Sequence, residues 1–144
     1  MEGVSFRHVV RIGPVDKRAA LAGATAAIVW AAQEPLDRKV FGCDYSDVAL
    51  LGKAVSRKHW QTAGLLLHAA NGALFGLAWR RRGSPIALAL VENAALWPLT
   101  ALVDRYHPAR GEAGLPALHG NRAAFAQACW RHALFGWVLG RLAR

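Results

Sequence analysis

Cysteine is scarce: the 144 residues hold two, Cys43 in a polar stretch and Cys129 inside an apolar one. Two residues so placed give no disulfide framework and no C-x-x-C metal signature. Cys129 reads as a small apolar packing residue. Acid is scarce too, with nine Asp and Glu against eighteen Lys and Arg, a net charge of +9. In a soluble chain that excess would point to nucleic acid. No basic stripe here alternates with exposed aromatics, so no nucleic-acid partner is expected. Also missing are a P-loop, a G-x-S-x-G elbow and a Ser or Cys nucleophile with a base beside it. The long segments lack the charged face at period 3.6 that a water-exposed helix needs.

What abounds is apolar. Hydrophobic residues make up 54% and charged residues 19%, and the mean hydropathy is +0.18, on the membrane side of ordinary globular composition. The bases fall mostly between apolar runs, at 17–18, 57–58, 80–82, Arg141 and Arg144, where a multi-pass protein keeps its phospholipid-facing charge. Three runs have spanning length. Residues 60–79 carry a Trp at each end, 84–103 open on Ser-Pro and close on Asp104-Arg105, and 123–142 form the last. The run 19–32 follows bases like a signal peptide, but its Ala-x-Ala at 24–26 would cut it in half, so it is read as a retained helix.

An internal comparison lengthens that first run. WAAQEPLDR (30–38) and WPLTALVDR (97–105) share Trp, five residues, an aliphatic, Asp and Arg. ALFG occurs at 73–76 and 133–136, each preceded at the same distance by His59 or His119. The chain therefore reads as two copies of a helix–loop–helix hairpin, with the first helix over 19–36 and any pseudo-two-fold axis along the membrane normal. The expectation is a single all-α domain over 1–144, an integral membrane four-helix bundle with helices at 19–36, 60–79, 84–103 and 123–142. Residues 37–58 form a polar connection whose VALLGKAV part makes a short amphipathic helix on the bilayer surface. Residues 104–122, rich in Pro and Gly, read as loop. Nine Lys and Arg fall on one side and eight on the other. The triple Arg at 80–82 favours cytoplasmic termini.

The polar residues within these spans share one depth. His68 and Asn71 sit at the middle of the second, Glu92 and Asn93 at the middle of the third, and Arg131, His132 and Gln127 around the middle of the fourth. A charge at a helix centre costs about 2.5–3.5 kcal/mol, so such residues should face inward and pair. Glu92 and Arg131, opposite full charges at mid-depth, are the expected ion pair. Gly64, His68, Gly72 and Gly76 recur at every fourth position, as do His132, Gly136 and Gly140, two stripes for close helix approach. The bland reading is that these polar groups only glue helices together. The sharper one is a shared pocket in which Glu92, His132 and His68 carry acid–base chemistry while Arg131 clamps an anion and Asn71, Asn93 and Gln127 orient it. A metal is not expected, since no helix holds an HxxxH or ExxH pair, and no cofactor, haem included, is indicated. Asp104 and His107 are close enough in sequence to share a proton.

AGATAAIVWAAQEPL (22–36), LHAANGALFG (67–76) and WRHALFGWVL (130–139) together resemble the YagU-like small bacterial inner-membrane proteins. The likeness spans most of residues 20–140 and departs at Glu92-Asn93 and in a shortened second loop. It implies architecture and a bacterial inner membrane, and transfers no activity. Three functions are expected: binding of, or acid–base action on, a lipid-soluble ligand such as an isoprenoid, quinone or lipid; proton-linked transport; or an accessory subunit. Membrane lipid is the expected partner, and a second copy could complete a site built from four short helices.

Overall fold

The computed structural model describes residues 16–79 and 83–144. The triple Arg at 80–82 and the first fifteen residues, on which the orientation expectation partly rests, lie outside the described residues. Every described element is a helix, and most starts are set by a side chain that accepts an orphan N–H. Helix α1, Lys17–Phe41, is capped by Asp16 and stopped by Gly42 in the left-handed conformation at φ 61°. It outruns the expected end at residue 36. Pro35 removes only its own N–H from the ladder, and Gly42 is the residue that ends the helix.

Ser46 caps α2, Asp47–Val55. This short helix was expected on the bilayer surface. It is instead wedged against α3, Trp60–Trp79, where a Cβ on Gly52 would meet the Trp60 carbonyl and one on Gly64 the Val48 carbonyl. Ser84 caps α4, Pro85–Leu96. The missing N–H of Pro98 coincides with a 3-10 turn, Trp97–Leu99, before α5, Thr100–Tyr106. Asn121 caps α6, Arg122–Leu142. Residues 107–121 form the expected loop and tie back onto α2, through Lys53 to Glu112 and the Ala113 carbonyl and through His107 to the Leu50 carbonyl.

The long helices form a curved row, α3 beside α1, α1 beside α6, and α6 beside α4, with α3 and α4 at its ends meeting less extensively than these pairs. Both expected glycine stripes are seams. On the first, Gly72 meets Gly23, and Gly76 meets the Ala19 carbonyl. On the second, Gly136 and Gly140 receive Pro85 and Ile86. Apolar side chains are exposed along the row, with Leu21, Leu36, Leu66, Leu74 and Val91 each about two-thirds exposed. Of the four expected spans one, Pro85–Tyr106, is long and apolar enough to cross a membrane by length and composition. Helices α1 and α6 are long enough but carry Glu34 and Asp37 or Arg131 within them, and those charges face the interior.

Candidate ligand-binding cavity

The concave side of the row encloses a cavity of about 290 Å³. Five of the seven expected site residues lie on its wall: His68 and Asn71 from α3, Glu92 and Asn93 from α4, and His132 from α6. Trp30 of α1 backs it, its ring in edge contact with His68 at 4.9 Å and His132 at 4.6 Å between centres. Phe75 and Phe135, in edge contact at 5.1 Å, close one end. Beyond them the core is Trp79, Val138 and Leu139. Tyr45, Asp47 and Leu50 of the α2 region and Thr100 and Val103 of α5 line the other end.

Arg131 and Gln127 are not on that wall. Neighbouring positions of a helix project about 100° apart. His132 faces the cavity with Ala128 and Phe135, so Arg131 turns with Gln127, one turn earlier, toward α1. The expected Glu92–Arg131 pair does not form. Arg131, fully buried, takes Asp37 in two bonds, Nε to Oδ2 at 2.6 Å and Nη2 to Oδ1 at 2.7 Å. Its Nη1 donates to Asp47 at 2.7 Å, Nη2 also to the Tyr45 carbonyl at 2.9 Å, and Glu34 stands at 3.7 Å. The expected role of Arg131 as an anion clamp in the cavity is thereby overturned: its donors are already taken. Gln127 likewise donates to Asp37 at 2.7 Å and is a brace for that carboxylate.

Three carboxylates thus surround one guanidinium. Glu34 is held by the Ser46 hydroxyl at 2.6 Å and the Asp47 N–H at 3.0 Å, at the start of α2 where the helix dipole favours negative charge. Asp47 accepts from Trp30 Nε1 at 3.1 Å and from the Tyr45 hydroxyl at 2.6 Å. Burial works against its charge, yet Arg131, His68 and the Tyr45 hydroxyl hold its carboxyl below the ordinary value. Burial and the adjacent Asp47 push the Tyr45 phenol well up, so it stays a donor. These acids were missed in the sequence, where Asp37-Arg38 reads as a helix-end pair. Arg38 in fact bonds Glu34 and Asp44. One signal was present: four of the nine acids in a basic chain fall within positions 34–47.

Within the cavity the polar groups are unevenly satisfied. His132 Nδ1 donates to the Ala128 carbonyl at 2.8 Å, so the neutral ring keeps a lone pair on Nε2. Asn93 donates to Cys129 Sγ at 3.3 Å. His68 is 94% buried and its Nε2 has no partner. Glu92, half-buried, makes no hydrogen bond or ion pair among the described residues. No group of three His, Cys, Asp or Glu with metal-holding geometry occurs among them either. Asp104 accepts from the Leu118 and His119 N–H groups while His107 sits between Leu50 and Ala109, so these two do not share a proton. Compared with known proteins the chain stands apart: no protein-family model, no curated protein and no solved structure matches it.

Proposed function

We propose that this chain is a multi-pass membrane protein whose concave cavity binds a lipid-soluble ligand, with Glu92 and His132 placed for acid–base action on it. The observation that carries the reading is the pairing of two surfaces. A half-open cavity with five titratable side chains, Tyr45, Asp47, His68, Glu92 and His132, lies inside a row of helices that expose Leu and Val. Buried, unpartnered polar groups are rare in native folds, and His68 Nε2 is one, on the same cavity wall as the half-buried Glu92. The cavity is half-open, and an opening toward the bilayer between α3 and α4 would be the entry for a hydrophobic molecule. The likeness to YagU-like proteins supports an inner-membrane location, and the triple Arg at 80–82 favours cytoplasmic termini. An internal repeat fits as well. Trp30 and Trp97 line one cavity, Phe75 and Phe135 touch across it, and the ALFG glycines Gly76 and Gly136 each receive the first helix of their own hairpin.

Proton-linked transport would need a polar path to both sides, and the Phe75–Phe135 contact with the apolar core behind it offers none on one side. The test is direct. The protein is expected in the membrane fraction after alkaline washing. Purified in native-lipid discs and extracted with solvent, it should release a bound hydrophobic compound at about one per chain. Asn71→Trp, at the exposed mouth of the cavity, should lose that compound while remaining folded. Recovery in the soluble fraction, or equal retention by the variant, would overturn the reading.

A further inference from the structure

The cavity matches one head-group chemistry better than others, provided that it opens to lipid and binds a ligand as proposed for its function. The balance of donors and acceptors on its wall is lopsided. Most donors are committed: Trp30 Nε1, the Tyr45 hydroxyl and Arg131 Nη1 to Asp47, His132 Nδ1 to Ala128, and one N–H of Asn93 to Cys129. Two acceptors are free. Glu92 makes no hydrogen bond or ion pair among the described residues, and His132 Nε2 keeps its lone pair. His68 Nε2 is buried without a bond and accepts in one of its two tautomers. Asn71, exposed at the mouth, offers both.

Charge points the same way. Glu92 and Asp47 are the wall's carboxylates, and the buried guanidinium behind it, Arg131, answers three carboxylates already. An anionic head such as a phosphate or carboxylate would meet like charge and find no cation. An ammonium carries three donors, no acceptor and a positive charge, and Trp30, Trp97, Phe75 and Phe135 supply the π faces that favour a cation. Size sets the rest. At about 290 Å³ the cavity lies near the lower end of small-molecule pockets, about 300–1,000 Å³, so it holds a head and not a long tail. The tail would leave through the open side of the cavity, toward α3 and α4.

We propose that the cavity between α3 and α4 is a site for an amphiphilic amine, its ammonium held by Glu92, His132 and His68 and its alkyl tail lying in the lipid. The ammonium comes either from a free long-chain amine or from the ethanolamine of a phospholipid. The test uses the full chain in phosphatidylcholine discs, read by tryptophan fluorescence because Trp30 and Trp97 line the cavity. Dodecylamine, dodecanol and dodecanoate are the probes. Dodecylamine should saturate the signal and dodecanoate should not, and Glu92→Gln should weaken dodecylamine about tenfold or more, as loss of a charge-assisted bond does, while leaving dodecanol unchanged. Competition by phosphatidylethanolamine would assign the phospholipid source, and no competition the free amine. Dodecanoate or dodecanol binding as tightly as dodecylamine, or an unaltered dodecylamine affinity in Glu92→Gln, would overturn the amine assignment and leave the ligand cavity standing. Failure of all three probes would sink both.

Discussion

Arg131 of α6 grips Asp37 of α1 through two near-parallel bonds of 2.6 and 2.7 Å, joining positions 94 residues apart in the interior of the helix row. Fork-to-fork pairing of this kind is both short and directional. Its weakness is that neither partner tolerates being left alone. Arg131→Met should therefore destabilise the fold by about 3–5 kcal/mol, because Asp37 and Asp47 stay behind without a counter-charge. Arg131→Lys should recover little, since an ammonium cannot match the fork. Thermal unfolding in detergent measures this, and alkylation of Cys43 gives a second readout. That thiol is buried and pushed up by its burial, so it should react slowly in the native protein and quickly in Arg131→Met. A variant that melts with the native protein would show that the network holds nothing together.

Asp47 makes stability depend on acid. Its carboxyl lies below its ordinary value of 3.8 in the folded chain, so the folded state binds that proton less readily than the unfolded one. The contribution is complete above 3.8 and is lost as pH falls through the lowered native value. The part of the melting temperature that Asp47 supplies should stay level from neutral pH down to about 4 and drop below it. Asp47→Asn should lower the plateau and flatten the acid limb. An unchanged limb in that variant would assign the drop to other acids.

The α1–α3 seam depends on atoms that are absent. A Cβ on Gly23 would stand 2.0 Å from the Gly72 carbonyl oxygen, and one on Gly72 would stand 2.4 Å from the Gly23 oxygen. Neither neighbour is a side chain that can swing away, so Gly72→Ala should cost about 1–3 kcal/mol or more through separation of the helices. Gly42 is the control. Nothing lies within 4 Å of a Cβ there, but its φ of 61° is left-handed, so Gly42→Ala should cost about 1–2 kcal/mol from backbone strain alone. Equal melting temperatures for Gly72→Ala and the native chain would contradict the packing.

Much of this was legible from spacing. Gly64, His68, Gly72 and Gly76 repeat at helical period and do form a seam, and Ser84-Pro85 does open a helix. The mid-helix polar residues of α3 and α4 line one cavity, because residues at equal depth on helices that surround it face the same space. The partner of Arg131 was not legible. Depth gave Glu92, but adjacent helix positions diverge, and the phase that sends His132 to the cavity sends Arg131 away from it. Nor does a polar connection announce that it folds inward. Asp47 reaches Arg131 because Ser46 starts a helix and Gly52 lets that helix press on α3. The tertiary contact that decides this is not a local property of residues 37–58.

Glu92→Gln separates a structural carboxylate on α4 from a ligand-binding one. If Glu92 balanced Arg131, the substitution would strand a buried cation and cost several kcal/mol. Glu92 instead makes no hydrogen bond or ion pair among the described residues and is half-buried on the wall of a half-open cavity. Neutralising it removes a desolvation burden and leaves no partner behind, so stability should change by no more than about 0.5 kcal/mol, or rise. The effect should appear only with ligand. A molecule that binds the folded state raises its melting point in proportion to the logarithm of its occupancy. Dodecylamine should therefore raise the melting temperature of the native chain and leave that of Glu92→Gln nearly unmoved, while both start from the same value without it. A large loss of stability in Glu92→Gln before any ligand is added would restore the carboxylate to a structural role and take the amine site away.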